Sequence, residues 1–135
     1  MAFYLDTSAL VKLVTREAET DALRAWLAER ERGPVSCDLV RTELARAARR
    51  SDPRRMRRVR EVLDALALIK VTTATFETAG RLDPTGLRSL DAIHVAAALD
   101  LGDDLEGFVA YDRRLADAAE ANGIAVLAPG VSSEG

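Results

Sequence analysis

Apolar residues along this chain alternate between short, mostly apolar runs and stripes spaced three and four apart. The runs Ala2–Leu5, Val35–Cys37, 68–71, 108–111 and 124–127 are bounded by polar or turn residues and predict short buried strands. Between them the stripes predict helices. The first covers 9–14 behind the capping trio Asp6-Thr7-Ser8, and the second starts at Thr20 or Asp21 with Leu23, Trp26 and Leu27 on one face. Gly33-Pro34 breaks it. A third helix, capped by Asp38, runs to Arg49, and a fourth starts at Pro53 and reaches about Ala67 with Met56, Val59, Leu63 and Leu66 inward. Residues 75–82 form a short helix. Ser89 caps a nearly all-apolar helix through Leu99, and a helix over 113–122 closes on Gly123 in a left-handed cap. Strands rich in Val, Ile, Leu and Phe alternating with helices predict an α/β fold, a central parallel sheet of four to five strands with helices on both faces. Residues 1–128 are expected as a single domain and 129–135 as a flexible C-terminal tail.

Four acidic residues violate this pattern. Asp6 and Asp112 each end an apolar run, Asp91 opens the apolar helix, and Glu43 shares a face with Leu39, Val40 and Ala47. Any one could be a helix cap or a solvated side chain. Together they matter more, because open α/β sheets build sites beyond the carboxyl ends of their strands, where all four are expected to gather. An unpaired buried carboxylate costs several kcal/mol by rough estimate, so a cation must share them. All-oxygen ligands favour Mg²⁺ or Mn²⁺, which points to a metal-dependent phosphodiesterase.

Charge adds a second feature. The chain of 135 residues has a net charge of −3, yet residues 41–60 hold nine arginines against Glu43 and Asp52. That basic stretch predicts attraction to a polyanion, either RNA or an acidic segment of a protein partner. The single Cys37 excludes an internal disulfide and reads as a small buried side chain without an acid–base partner. His94 is the only histidine, which excludes a two-histidine ribonuclease mechanism. It shares a helix face with Asp91 and reads as a packed histidine or as one that orients Asp91. Trp26 reads as core. No apolar run approaches the ~18 residues that cross a bilayer, and no signal peptide is recognisable, so a cytoplasmic protein is expected.

Four segments carry a family resemblance. Tyr4-Leu5-Asp6-Thr7-Ser8-Ala9-Leu10-Val11-Lys12-Leu13 resembles the first motif of PIN-domain proteins and Arg41-Thr42-Glu43-Leu44 the second. Ser89-Leu90-Asp91-Ala92-Ile93-His94-Val95-Ala96-Ala97-Ala98 resembles the third, in the form typical of VapC-like toxins, and Tyr111-Asp112-Arg113-Arg114-Leu115 the fourth. The resemblance implies a PIN-like three-layer α/β/α sandwich and Mg²⁺- or Mn²⁺-dependent endoribonuclease activity. It implies RNA as substrate, a VapB-like antitoxin, a homodimer and a toxin–antitoxin hetero-oligomer. It assigns catalytic and metal-binding roles to Asp6, Glu43, Asp91 and Asp112, with Thr7 as a supporting hydroxyl. Ala110 departs from the Thr or Ser common in relatives at that place. The alternative expectation is a catalytically silent PIN-like module that binds RNA or a partner.

Overall fold

Tyr4 and Leu5, adjacent on the first strand, face opposite sides of the sheet, and each side has its own hydrophobic core. The computed structural model describes residues 1–132. Five parallel strands, β1 (Ala2–Leu5), β2 (Val35–Cys37), β3 (Ala67–Ile69), β4 (Leu105–Val109) and β5 (Val126–Leu127), stand in the order β3-β2-β1-β4-β5. One face carries α1 (Thr7–Val14), α2 (Thr20–Ala28), α3 (Leu39–Ser51) and α4 (Met56–Asp64), which bury Leu10, Leu23, Leu44 and Val59 against Leu5 and Val109. The other carries α5 (Thr73–Arg81), α6 (Ser89–Leu99) and α7 (Arg113–Ala121), with Val95 and Leu115 against Tyr4 and Phe108. Each large apolar side chain so buried contributes roughly 1.5–3 kcal/mol. The chain lays β2 and β3 to one side of β1, then crosses to lay β4 and β5 on the other. The order reverses between β1 and β4, where a crevice must open.

The three-layer α/β architecture agrees with the sequence expectation, while several boundaries differ for identifiable reasons. β4 begins at Leu105 and ends at Val109, because it pairs with β1 along Ala2↔Leu105 to Leu5↔Val109 and a register shift absorbs Glu106. Past Val109, Ala110 N still donates to the Leu127 carbonyl, and the Tyr111 amide turns to Ser8 Oγ instead. Likewise β3 starts at Ala67 because it pairs there with Val35, which ends α4 at Asp64. A 3-10 turn over Pro53–Arg55 precedes α4 and offsets its phase, so Met56 is exposed and Val59 with Val62 forms the inward face. Asp38 does not cap α3. Its backbone is already helical, and its carboxylate accepts from Arg41 Nε at 3.1 Å instead. Ser89 is the first residue of α6 rather than its cap. Trp26 is only half-buried, edge-on to Phe3 with the Arg30 guanidinium over its ring. Tyr111 Oη donates to the Pro129 carbonyl at 2.7 Å, at the start of the expected tail, whose residues 133–135 lie outside the described residues.

Gly107 is the point where β4 comes closest to its neighbours. A Cβ there would meet Leu127 Cδ1 at 2.7 Å and the Phe3 ring at 3.0 Å. Gly107→Ala is expected to lower stability by about 1–3 kcal/mol through overpacking, read as a fall in the thermal midpoint.

Candidate active site

Asp6 follows β1 directly, and its amide still pairs with the Val109 carbonyl of β4. Its side chain turns back to cap α1, accepting from Ala9 N at 3.0 Å. Ser8 Oγ donates to both carboxylate oxygens, at 2.7 and 2.9 Å, and itself accepts from Tyr111 N. The carboxylate is therefore 2 % exposed and locked from behind. Burial pushes its pKa up to about 6, assisted by the nearby Asp112 charge and opposed by Ser8, His94 and Ala9. A cap alone does not require such burial, since a cap on the surface would satisfy the same amide.

Asp112 follows β4 across the switch point. It caps α7 through Arg114 N at 2.9 Å and Leu115 N at 3.2 Å, and it is exposed. Asp91 sits in the first turn of α6, and burial raises its pKa, reinforced by Asp112 and Glu43 and opposed by His94 and Arg88. Glu43, in the second turn of α3, accepts from Thr7 Oγ1 at 2.8 Å and from His94 Nε2 at 2.6 Å. Both bonds fall on Oε1, and among the described residues Oε2 accepts none. Burial alone would raise the Glu43 carboxyl, but His94 and Thr7 outweigh it and hold it below the ordinary range. Thr7 Oγ1 thus joins α1 to Glu43 on α3.

The four acids share one field without forming the closed cage that the sequence suggested. Among the described residues, no three His, Cys, Asp or Glu side chains stand close enough together to hold a metal ion. Asp6 and Asp112 each turn an oxygen to a helix cap, and Glu43 turns one to His94 and Thr7.

His94 is the residue whose role the sequence left furthest from its observed one. It does not orient Asp91. Its Nδ1 lies 2.7 Å from Tyr4 Oη and 3.9 Å from Cys37 Sγ, and its Nε2 serves Glu43, with Thr7 Oγ1 at 3.4 Å. Cys37 consequently does have an imidazole neighbour, contrary to expectation. Ser8 was also missed as the anchor of Asp6, although its spacing of two residues from an aspartate cap was a usable signal.

The arginine-rich stretch covers α3, the 3-10 turn and α4, and part of it serves the fold. Arg58 Nε donates to the Leu13 carbonyl at 2.9 Å and Arg55 to that of Val14 at 3.3 Å, closing the end of α1. Arg54 pairs with Asp52 and Arg41 with Asp38. Arg46, Arg49, Arg50, Arg57 and Arg60 are exposed and, among the described residues, make no ion pair. Arg46 lies about one turn beyond Glu43 and Arg49 six residues beyond it, roughly 9 Å along the helix axis, so this surface adjoins the acids.

A parallel sheet with this strand order, carrying acids at its switch point, defines a doubly wound α/β class with an acidic site. The model of the PIN domain family matches residues 3–121. Ribonuclease VapC46 of Mycobacterium tuberculosis is 46% identical over 129 residues, spanning 95% of this chain and 98% of that protein. Ribonuclease VapC35 of the same organism is 44% identical over 130 residues, covering 94% and 96%. The crystal structure of Mycobacterium tuberculosis VapC20, described as a sarcin-ricin loop cleaving toxin, superposes with a TM-score of 0.74 at 18% identity, covering 95% of this chain and all of that one. That of VapBC2 from Rickettsia felis, bound to a DNA fragment from their promoter, gives 0.75 at 14% identity, covering 96% and 99%. At such identities these two structures speak for the fold. The chain belongs to the PIN-domain family, in its VapC branch.

Proposed function

We propose that the chain is the toxin of a type II toxin–antitoxin pair, an endoribonuclease that depends on Mg²⁺ or Mn²⁺ and is neutralised by a VapB-like antitoxin. The observation that carries this reading is the Asp6 carboxylate, buried and fixed at the switch point within the field of Asp112, which acts on Asp91 as well. Structure alone gives no return for that burial; a cation would. The naming of 41–46% identical relatives as ribonucleases VapC supports the activity and the pairing with an antitoxin.

The donor set fits the metal. Asp6, Glu43, Asp91 and Asp112 offer oxygens only, and Mg²⁺ takes one or two protein carboxylates while keeping waters and binding phosphates. A cluster of three converged side chains is therefore not required. When bound, the cation supplies Lewis acidity, making a water acidic enough to attack and neutralising charge on the phosphate. Asp6, held rigid by Ser8, sets the position of the site with Asp91. Glu43, held through Oε1 by Thr7 and His94, presents Oε2 to orient the attacking water. Asp112 adds negative charge at the rim. Attack by water leaves a 5′-phosphate and a 3′-hydroxyl. The exposed Phe76 on α5 and Leu90 on the adjoining α6 supply apolar surface for a homodimer. Among the described residues no helix is long and apolar enough to cross a membrane.

The test is cleavage of RNA by purified protein with Mg²⁺ or Mn²⁺, beside EDTA and an Asp91→Asn control. Cutting is expected only with wild-type chain plus metal, with product 5′ ends sensitive to a 5′-phosphate-dependent exonuclease. RNA left intact in every lane would sink the enzymatic reading. Expression alone is expected to arrest growth, and co-expression of the partner to relieve it.

A further inference from the structure

Beside Asp91 a groove of about 620 Å³ lies between the 83–88 loop and one stripe of α7, within the ~300–1,000 Å³ span of ligand pockets. Arg114, Asp117, Ala118 and Ala121 line the helix side at three- and four-residue spacing, and Leu87 and Arg88 line the other. The Asn122 side-chain amide donates to the Asp83 carbonyl at 2.8 Å, tying the loop to the end of α7 and fixing the separation of the two walls there. Arg88 and Arg114 are exposed and, among the described residues, make no ion pair.

Two free guanidinium groups beside a carboxylate site suit a polyanionic strand. They offset the repulsion that RNA meets near Asp91 and Asp112, and a guanidinium forks onto phosphate oxygens. Leu87 and Ala121 offer phosphate nothing, but they give an apolar face to a base or ribose, with the buried Ala118 as its floor. Asp117 offers acceptor oxygens on that same wall, complementary to base N–H groups. Guanine presents two such donors side by side on its pairing edge.

We propose that this groove seats one nucleotide of single-stranded RNA next to the phosphate that is cut, with Arg88 and Arg114 on the flanking phosphates and Asp117 selecting guanine. The inference rests on the ribonuclease reading and deepens it by naming a substrate subsite. It also separates the work of these two arginines from that of the α3–α4 stretch, which lies on the opposite face of the sheet.

Binding of single-stranded oligonucleotides that differ in one base is measured by fluorescence anisotropy at several salt concentrations. Asp6→Asn protein in Mg²⁺ and wild-type protein in EDTA both avoid cutting during the measurement. Arg88→Gln and Arg114→Gln are each expected to weaken binding roughly tenfold and to reduce the salt slope by about one. Asp117→Asn is expected to remove the preference for guanine while leaving the salt slope alone. Unchanged affinity and slope in both arginine variants overturn the proposal, as does a loss confined to antitoxin binding. An unaltered base preference in Asp117→Asn overturns the selecting role. Failure of the wild-type protein to cut RNA in a parallel assay would count against the nuclease, whereas the groove stands or falls on binding.

Discussion

Asp6→Asn is expected to reduce RNA cleavage by at least about 10³-fold and to leave the protein as stable as the wild type or more so. The two results come from one cause. The amide has nearly the volume of the carboxylate and still accepts from Ala9 N, but it carries no charge to bury. An ordinary aspartate shifted up to about 6 corresponds to roughly 3 kcal/mol of destabilisation once it is ionised. The folded pKa lies above the unfolded value, so the folded chain holds its proton more tightly. The site's contribution is therefore most favourable below about 3.8 and is lost as pH rises through about 6. The stability advantage of the variant should be greatest above pH 6 and should narrow as pH falls toward 3.8. Thermal melting between pH 3.5 and 7.5, without divalent metal, checks this. Adding Mg²⁺ or Mn²⁺ at pH 7.5 should then raise the wild-type midpoint and leave that of the variant largely unmoved. A variant that cuts RNA as well as the wild type would remove Asp6 from the site, whatever its stability.

How much of this was legible beforehand depended on how locally each feature is encoded. An aspartate ending an apolar strand is visible at once, and the topology that brings Asp6 beside Asp112 follows from strand–helix alternation. Strand ends were less legible, because β3 and β4 start where a partner strand is available, and residues 68–71 or 108–111 read alone do not reveal the partner's register. The closed carboxylate cage was over-read for a related reason. Asp6 and Asp112 were seen as metal donors or as helix caps, and the fold uses them as caps in a shared field, with the oxygens fixed accordingly. Arg88 and Arg114 stand out little in the sequence, because the dense arginines of 41–60 dominate the charge pattern. Two basic residues three before Asp91 and two after Asp112 are a weaker but more local signal, and the groove exists only once α6 and α7 are side by side. Least legible of all was the link between His94 and Glu43, which are 51 positions apart and on opposite sides of the sheet's edge.

That link supports the second large expected effect. His94 is 1 % exposed and connects five elements: it belongs to α6 and touches Tyr4 on β1, Cys37 on β2, Thr7 on α1 and Glu43 on α3. His94→Ala strands a buried phenol hydroxyl and a half-buried carboxylate together, and it is expected to cost about 3–5 kcal/mol of stability. Activity should fall by roughly 10²-fold even in protein that remains folded, because Glu43 keeps only Thr7 of the two donors that fix Oε1 and its free oxygen wanders. His94→Gln separates the two consequences. Its amide reaches the Glu43 oxygen but not Tyr4, so cleavage should recover more than stability does. The imidazole also sets an alkaline limit. Burial opposes its protonation, but hydrogen bonds and charge from Cys37 and Glu43 prevail and push the pKa up to about 10. A group raised in this way stabilises the fold fully below about 6.5 and loses that contribution as pH rises through about 10. Wild-type stability should accordingly decline between pH 7 and 10, and His94→Gln should show a flatter profile there. Parallel profiles for the two proteins would place the alkaline transition elsewhere, and equal cleavage by His94→Ala and wild type would show that Glu43 needs no such anchor.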